Sequence, residues 1–421
     1  MNMHAKPQRT QAETALVDAF VERFSYLPGD EAVIRRRDDA VERLKAGLPT
    51  RRVEAWHYTD LRRLLATVPA HDPAAGAKPL PALVQGSTVL PVLNGVASHA
   101  PRIDGVTVVP LEQKLVDGSV APDMASSDTA DVIAPLNAAF VTDGWFLDIG
   151  EGVAVDGPIE LQNVQGGGQA HVRFPVRVGA GAKAIIVERQ GGGGDALVSS
   201  VSHLTLGEGA EITWVLLQEQ PAGATHLGQF NAVLGKDAKL TLFVMNTGGK
   251  LVRQEIKVDA KGEGAVFNLR GVNLLNGDSH TDVTMVLDHS APNTTSSEVI
   301  RNVVTGRARG VFQGQIRVDR LAQKTDAKMA CNTLLLSDEG EFSAKPELEI
   351  FADDVACGHG ATVTEIDRSH LFYLMARGVP EKQARGLLVK AFVAEVIEEL
   401  EDEALVAALE EKLEGWFARN G

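Results

Sequence analysis

A chain of 421 residues is long enough for two or three domains, or for one elongated repeat body with appendages at its ends. Hydrophobic residues make up 44% of it and charged residues 23%, which excludes a disordered or fibrous protein. The 56 acidic residues outnumber the 41 basic ones, and the net charge of -15 argues against a nucleic-acid partner.

The cysteine content and the hydropathy pattern indicate the compartment. Cys331 and Cys357 are the only cysteines, which excludes a disulfide framework and a complete four-thiolate metal site in one copy of the chain. The opening MNMHAKPQRT has no apolar h-region, and no run of about 18 apolar residues occurs, so no signal peptide or membrane span is predicted. We expect a cytoplasmic protein.

Residues 1–68 are predicted to form a helical region, and residues 69–91 are predicted to form a linker. Apolar residues recur at helical spacing on both sides of a Pro28-Gly29 break. They are Leu16, Phe20, Phe24, Val41, Leu44 and Leu48. The linker is rich in Pro, Ala and Gly, a composition that suits a connecting segment.

Residues 92–366 are predicted to be nearly all β, with one short helical interruption at 131–140. Four segments repeat a glycine turn, a small Ala and an extended apolar run, and their first glycines are 28, 28 and 27 residues apart. The segments are 179–187 (GAGAKAIIV), 207–215 (GEGAEITWV), 235–243 (GKDAKLTLF) and 262–269 (GEGAVFNL). A constant period without intervening helices predicts a parallel β-helix, and a β-sandwich is the alternative.

Residues 367–421 are predicted to form a second helical region with two amphipathic helices. The first carries the apolar stripe Ala384, Leu387, Leu388, Ala391, Phe392, Val396, Ile397 and Leu400. The second carries Leu405, Leu409, Leu413 and Trp416 opposite an acidic face. Such stripes either pack on each other and on the β body or dock in a partner's groove.

Motifs of known catalytic chemistry are missing from the sequence. It contains no G-x-x-x-x-G-K-[ST] loop, no G-x-S-x-G elbow and no H-E-x-x-H helix. The glycine runs at 166–168 and 191–194 lack the lysine that phosphate binding needs, so we interpret them as surface turns.

One pair of residues has the chemistry of a metal site. Cys357 and His359 are two residues apart after a strand-like segment, so in an extended chain both side chains project to one face. Thiolate and imidazole together suit iron, copper or zinc. A buried cysteine beside a hydrogen-bonded histidine is the structural alternative. Glu349, Asp353, Asp354 and Glu365 are nearby acids that either add oxygen ligands or form a solvated face.

These residues lie in a stretch that resembles the SufD members of the SufB/SufD family of iron-sulfur cluster assembly proteins. The resemblance is carried by residues 345–362 (KPELEIFADDVACGHGAT) and continues through 371–378 (LFYLMARG). Residues 52–61 (RVEAWHYTDL) are similar to the family's W-x-Y-T motif, with His57 in its middle, and 136–144 (LNAAFVTDG) to the start of its β core. SufB-like chains differ, because they have more cysteines and a Glu where this chain has Gly360.

The resemblance implies a right-handed parallel β-helix flanked by helical regions, in agreement with the repeat. It implies a non-catalytic scaffold that pairs with a SufB-like paralogue and binds a SufC-like ATPase through the C-terminal helices. A transient iron-sulfur cluster would form at the interface of the two paralogues, with His359 as a ligand or proton-handling group beside Cys357. The candidate ATPase-docking residues are Leu387, Leu388, Phe392, Val396 and Ile397.

Trp56 and Tyr58 are predicted to be core anchors rather than binding residues. An enzyme acting on polysaccharide is the alternative function, since β-helices host lyases and hydrolases, but aromatic residues are only 5% of this chain. A purely structural homodimer, formed by the isolated chain through its β-helix ends, is a second alternative.

Overall fold

The computed structural model describes residues 8–126 and 128–420. Part of the opening segment on which the absence of a signal peptide was predicted, residues 1–7, therefore lies outside the described residues. Within the described ranges, no helix combines the length and the apolar character needed to cross a membrane.

Helices occupy the two ends of the chain and strands its middle. The helices are α1 (Gln11–Arg23), α2 (Glu31–Lys45), α3 (Leu61–Leu64), α4 (Leu111–Val116), α5 (Ile133–Phe140), α6 (Arg368–Met375), α7 (Glu381–Ile397) and α8 (Glu403–Asn420). The strands before residue 200 are β1 (Thr88–Leu93), β2 (Val96–Ala97), β3 (Val106–Pro110), β4 (Asp143–Ile149), β5 (Ile159–Gln165), β6 (Gly168–Val178), β7 (Lys183–Gly192) and β8 (Ala196–Leu206). The later strands are β9 (Glu211–Gln218), β10 (Thr225–Leu234), β11 (Lys239–Asn246), β12 (Leu251–Ala260), β13 (Val266–Leu275), β14 (His280–His289), β15 (Thr295–Val304), β16 (Arg309–Val318), β17 (Asp326–Leu335), β18 (Glu341–Ile350) and β19 (Ala356–Thr364).

The strands form a two-sheet parallel β-helix. Sheet A has the order β19-β17-β15-β13-β11-β9-β7-β5-β1-β2, and sheet B has the order β18-β16-β14-β12-β10-β8-β6-β4-β3. The chain alternates between the sheets, so each turn of the solenoid contributes one strand to each. Neighbours pair in parallel and in continuous register from β5 to β19 in sheet A, and from β4 to β18 in sheet B. The β-helix prediction is confirmed, because this pairing is incompatible with the antiparallel sheets of a sandwich.

The repeated glycine turn lies directly before each strand of sheet A from β7 to β13. The left-handed backbone falls on the third residue of the turn, as at Gly181 and Gly209, both with φ +65°. The first glycine has another reason: a Cβ on Gly179 would lie 2.5 Å from the backbone nitrogen of Glu151, one turn earlier in the stack. Stacking thus explains why the motif recurs at a fixed spacing.

The predicted linker is more ordered than its composition indicated. β1 begins at Thr88, inside the predicted 69–91 segment, and pairs with β5. Upstream, the backbone nitrogen of Leu83 donates to the Glu160 carboxylate at 2.7 Å. The solenoid therefore starts before residue 92, because β1 is already part of sheet A. A buried carboxylate of the same sheet binds the backbone of the segment upstream of β1.

The interior between the sheets is mostly apolar, and helices cover both outer faces. α1, α2, α4 and α5 pack on the outer face of sheet B, through a core that includes Leu197, Val201 and Leu227. α7 and α8 pack on the outer face of sheet A, against residues such as Phe243 and Met245. The predicted helix at 131–140 is present as α5, whereas α4 was missed within the predicted β region.

The prediction that Trp56 is a core anchor is confirmed. Its side chain is fully buried, its Nε1 donates to the Ala130 carbonyl at 3.0 Å, and the Arg253 guanidinium lies 4.4 Å from its ring centroid. Tyr58 is half-buried. The motif therefore joins the N-terminal helices to sheet B.

Candidate functional site

The last turn of the solenoid, formed by β18 and β19, is its open end. β19 pairs with β17 on one side, and no other strand of the described residues pairs with its second edge. Nearly all of β19 is exposed. An unpaired strand edge presents a row of backbone donors and acceptors, which is a template for another chain.

Cys357 and His359 lie on this last strand and on its inner side. In the register of β17 and β19, Cys357 is opposite Ala327 and His359 is opposite Met329. Ala327 and Met329 belong to the core between the sheets, so Cys357 and His359 lie above that core. Cys357 is half-buried and packs against the core, whereas His359 is exposed. The structure thus brings the pair together at the open end.

The surroundings of Cys357 favour the neutral thiol in the isolated chain. Burial raises the pKa of Cys357, and the negative charges of Asp326 and Glu298 raise it further. A cation bound beside the sulfur would reverse this balance, because it stabilises the thiolate that acts as a metal ligand.

The acids near the pair in sequence do not complete a metal site. Within the described part of the chain, no group of three or more His, Cys, Asp or Glu side chains is close enough to hold a metal ion. Asp354 forms an ion pair with Lys324, and Glu349 lies on the exposed outer side of β18. Cys357 and His359 alone would supply only two of the four ligands of a tetrahedral metal site.

Cys331, the other cysteine, is a core residue. It is fully buried, and the Asn302 amide lies 3.3 Å from its sulfur. Burial raises the pKa of its thiol to about 12. A thiol so strongly held in its protonated form is inert as a ligand or nucleophile.

Glu298 is a residue that sequence reasoning missed. It lies on β15, opposite Met329, and is fully buried. Burial raises its pKa to about 8. The signal available in the sequence was the alternation of Ser296, Glu298 and Ile300, which places a carboxyl on the inner face of a strand.

The predicted ATPase-docking residues divide into exposed and buried groups. Val396 and Ile397 are fully buried in the core that α7 forms with sheet A, so they do not present a surface to a partner in this conformation. Phe392 is half-buried beneath the Arg301 guanidinium, and Leu388 is half-buried. Leu387 is 47% exposed. The stripe that packs on sheet A includes Val389 and Val393, one position away from the predicted Leu388 and Phe392.

A larger exposed apolar surface lies just before α7. On α6, Phe372 is 71% exposed, and Tyr373 and Met375 are also exposed. A groove beside this helix is lined by Leu336, Ile366, Leu371, Phe372, Met375 and Arg385 among others. Exposed aromatic clusters of this kind are typical of protein interaction sites.

Comparisons with known proteins agree with these features. A family model described as "SUF system FeS cluster assembly, SufBD core domain" matches residues 161–392. The chain is 27% identical over 376 residues to the iron-sulfur cluster assembly protein SufD of Escherichia coli (strain K12), covering 86% of this chain and 88% of that protein. It is 26% identical over 293 residues to SufD of Bacillus subtilis (strain 168), covering 67% of each. A SufBD family protein of Mycobacterium tuberculosis (strain H37Rv) is 29% identical over 382 residues, covering 87% and 90%.

Proposed function

Because the chain belongs to the SUF-system family of iron-sulfur cluster assembly proteins with a SufBD core domain, we propose that it is a scaffold subunit on which a nascent cluster forms. In this proposal it pairs with a SufB-like paralogue through its open β-helix end. A SufC-like ATPase binds its C-terminal helices. The chain supplies no catalytic group of its own, and it works in the reducing cytoplasm.

The observation that carries the proposal is the position of Cys357 and His359 on the terminal strand. Their side chains lie on the terminal strand at the C-terminal end of the solenoid, whose second edge pairs with no strand of the described residues, and helices cover both outer faces of the solenoid. A second β body stacked on this end would pair with β19 and place its own side chains opposite the two residues. The cluster would then be held by ligands from both subunits.

This arrangement agrees with the chemistry of the ligand set. One thiol and one imidazole are too few to hold an iron-sulfur cluster, which binds four protein ligands. The raised pKa of Cys357 supports a site that is formed only when the partner and iron are present. Transient binding at an interface is what a scaffold needs, because the finished cluster must leave.

The surface of α6 and the start of α7 is the proposed docking site for the ATPase. Phe372, Met375 and Leu387 are exposed there, close in sequence to the terminal strand. A partner bound at this position could transmit a movement to β19 through the short connection at 365–367. We expect Leu388 and Phe392 to contribute through their exposed atoms.

Family membership favours this function over a polysaccharide-acting enzyme, the alternative that the β-helix alone suggested. No observation on the described residues favours the enzyme.

The test is the substitution His359→Ala in the complex of this chain with its paralogue and ATPase. We expect cluster assembly, followed by absorbance during anaerobic reconstitution, to fall by about 10-fold or more, since loss of a metal-site residue costs this much. Recovery of both partners in a pull-down should not change, because His359 is exposed and supports no packing. His99→Ala, at another exposed histidine, is the control. Assembly at the wild-type rate by the His359 variant would show that the site is misassigned.

A further inference from the structure

Three side chains of types that can bind metals occupy successive register positions at the open end of the solenoid. Glu298 on β15 is opposite Met329 on β17, and Met329 is opposite His359 on β19. Met329 belongs to the core between the sheets, and direct register neighbours share a face of the sheet. Since neighbouring strands are about 4.8 Å apart, these positions lead from the surface to a depth of roughly 10 Å.

Glu298 has no charged partner that explains its burial. It is fully buried, and among the described residues neither of its carboxylate oxygens has a hydrogen-bond partner in good geometry, although the Ser296 hydroxyl is close enough to lower its pKa. Its register neighbour on β13 is Leu269, an ordinary core residue. A buried polar group without a partner is destabilising, and a leucine would fill the same position without that cost. The carboxyl therefore indicates a ligand that reaches this position.

The donor types identify the ligand as a cation. A carboxylate, a thioether and an imidazole offer oxygen, sulfur and nitrogen to divalent first-row metals such as ferrous iron. The three groups follow one another along the stack, and within the described residues they are not part of a compact cluster of three ionisable ligands. A metal ion would therefore meet the three groups one after another as it moves along the stack.

We propose that Glu298, Met329 and His359 form a path for a divalent first-row metal ion, with Glu298 as its buried end. This inference rests on the proposed function, because it extends the candidate cluster site inward by two strands. A metal ion reaching Glu298 displaces the carboxyl proton, which leaves to solvent through the open end. The metal keeps its oxidation state, so no oxidant or reductant is needed.

Arg270 does not form an ion pair with Glu298, so the carboxyl of Glu298 is free to bind a cation. Arg270 lies on β13 next to the strand of Glu298, and its guanidinium donates to Glu399 at 2.5 Å and to the Ser297 carbonyl at 2.7 Å. This guanidinium is thus engaged elsewhere, although its positive charge lowers the pKa of Glu298 against the larger effect of burial.

The experiment is a calorimetric titration of the full-length chain with Co²⁺, under anaerobic conditions and with a non-thiol reductant. Glu298→Gln keeps the size of the side chain and removes the charge, and Met329→Leu removes the sulfur. We expect Glu298→Gln to weaken Co²⁺ binding by about 10-fold to 100-fold, and Met329→Leu to weaken it less. Glu349→Gln removes an exposed carboxylate at the same end of the solenoid and should bind like the wild type.

Two results would overturn the inference: wild-type affinity in the Glu298→Gln variant, or no Co²⁺ binding by the wild-type chain. Thermal unfolding of each variant shows whether a loss of binding reflects a loss of fold. The proposed function is tested separately, because it depends on cluster assembly in the complex. A His359→Ala complex that assembles clusters normally would remove the proposed function and leave a Glu298-dependent Co²⁺ affinity to be explained by a metal site of another purpose.

Discussion

Glu298 shows how one buried carboxyl couples the stability of the chain to pH. The ionisable groups on the inner face of the neighbouring strands are Cys331 from β17, and Cys357 and His359 from β19, whereas the charge of Arg270 acts from the outer face of β13. Burial outweighs the Ser296 hydroxyl and the charge of Arg270, and it raises the pKa of Glu298 from 4.5 to about 8. The folded chain therefore keeps a proton that the unfolded chain releases between these two values.

We expect this proton to make the wild type less stable at alkaline pH than a Glu298→Gln variant. Below pH 4.5 both states hold the proton, and as the pH rises toward 8 only the unfolded state loses it, so unfolding becomes more favourable. Between pH 5.5 and 8.5, the stability gap between variant and wild type should grow by about 3 kcal/mol. Urea unfolding at the two pH values measures it, and a gap independent of pH would contradict the assignment.

At the scale of the single element, α6 differs from the other C-terminal helices because its apolar residues face outward. α7 and α8 bury Val393, Val396, Leu405 and Leu409 against each other and sheet A. In α6 only Leu371 is buried, and Phe372 and Met375 are exposed. A helix that keeps its aromatic residues in solvent is available for a partner.

Substituting Phe372 should therefore weaken binding of the ATPase without affecting the fold. Exposed aromatic anchors at interfaces contribute about 2 kcal/mol or more, so Phe372→Ser should reduce ATPase affinity by roughly 30-fold. Tyr26→Ser is the matched control, because Tyr26 is 86% exposed on the N-terminal helical region. Affinity is measured by calorimetry with the purified ATPase. Unchanged affinity of the Phe372 variant would place the docking site elsewhere.

Considered as a whole, the molecule is a stack closed on its sides and open at one end. The N-terminal helices cover sheet B, the C-terminal helices cover sheet A, and the terminal strands β18 and β19 remain accessible. The C-terminal helices thus have two roles: they present α6, and they shield the outer face of sheet A.

Removal of residues 381–421 should destabilise the chain. The truncation would expose Phe243, Met245, Val272 and other apolar residues of sheet A. Each such side chain contributes about 1.5–3 kcal/mol when buried. We expect a lower unfolding temperature and aggregation in size-exclusion chromatography. A monomeric truncated chain with an unchanged unfolding temperature would show that α7 and α8 are dispensable for the fold.

Much of the architecture could be predicted from the sequence, because a solenoid is built from local repeats. The turn glycines at 179, 207, 235 and 262 recur wherever two turns of backbone approach closely, so a fixed spacing predicts stacking. The flanking helices were predictable from their apolar periodicity. Cys357 and His359 were found because their spacing places two donors on one face of a strand.

What the sequence could not determine are the contacts between distant parts of the chain. Helical periodicity alone did not show that Val389 and Val393 pack on sheet A while Leu387 stays exposed, because the apolar residues of this helix are not confined to one face. Nor could it show that Glu298 lies beneath His359, 61 positions later in the sequence. The sequence determined the repeating unit, since turns and strands are local. Only the tertiary structure decided which side chains line the open end of the stack, because register between turns is set by packing across the whole solenoid.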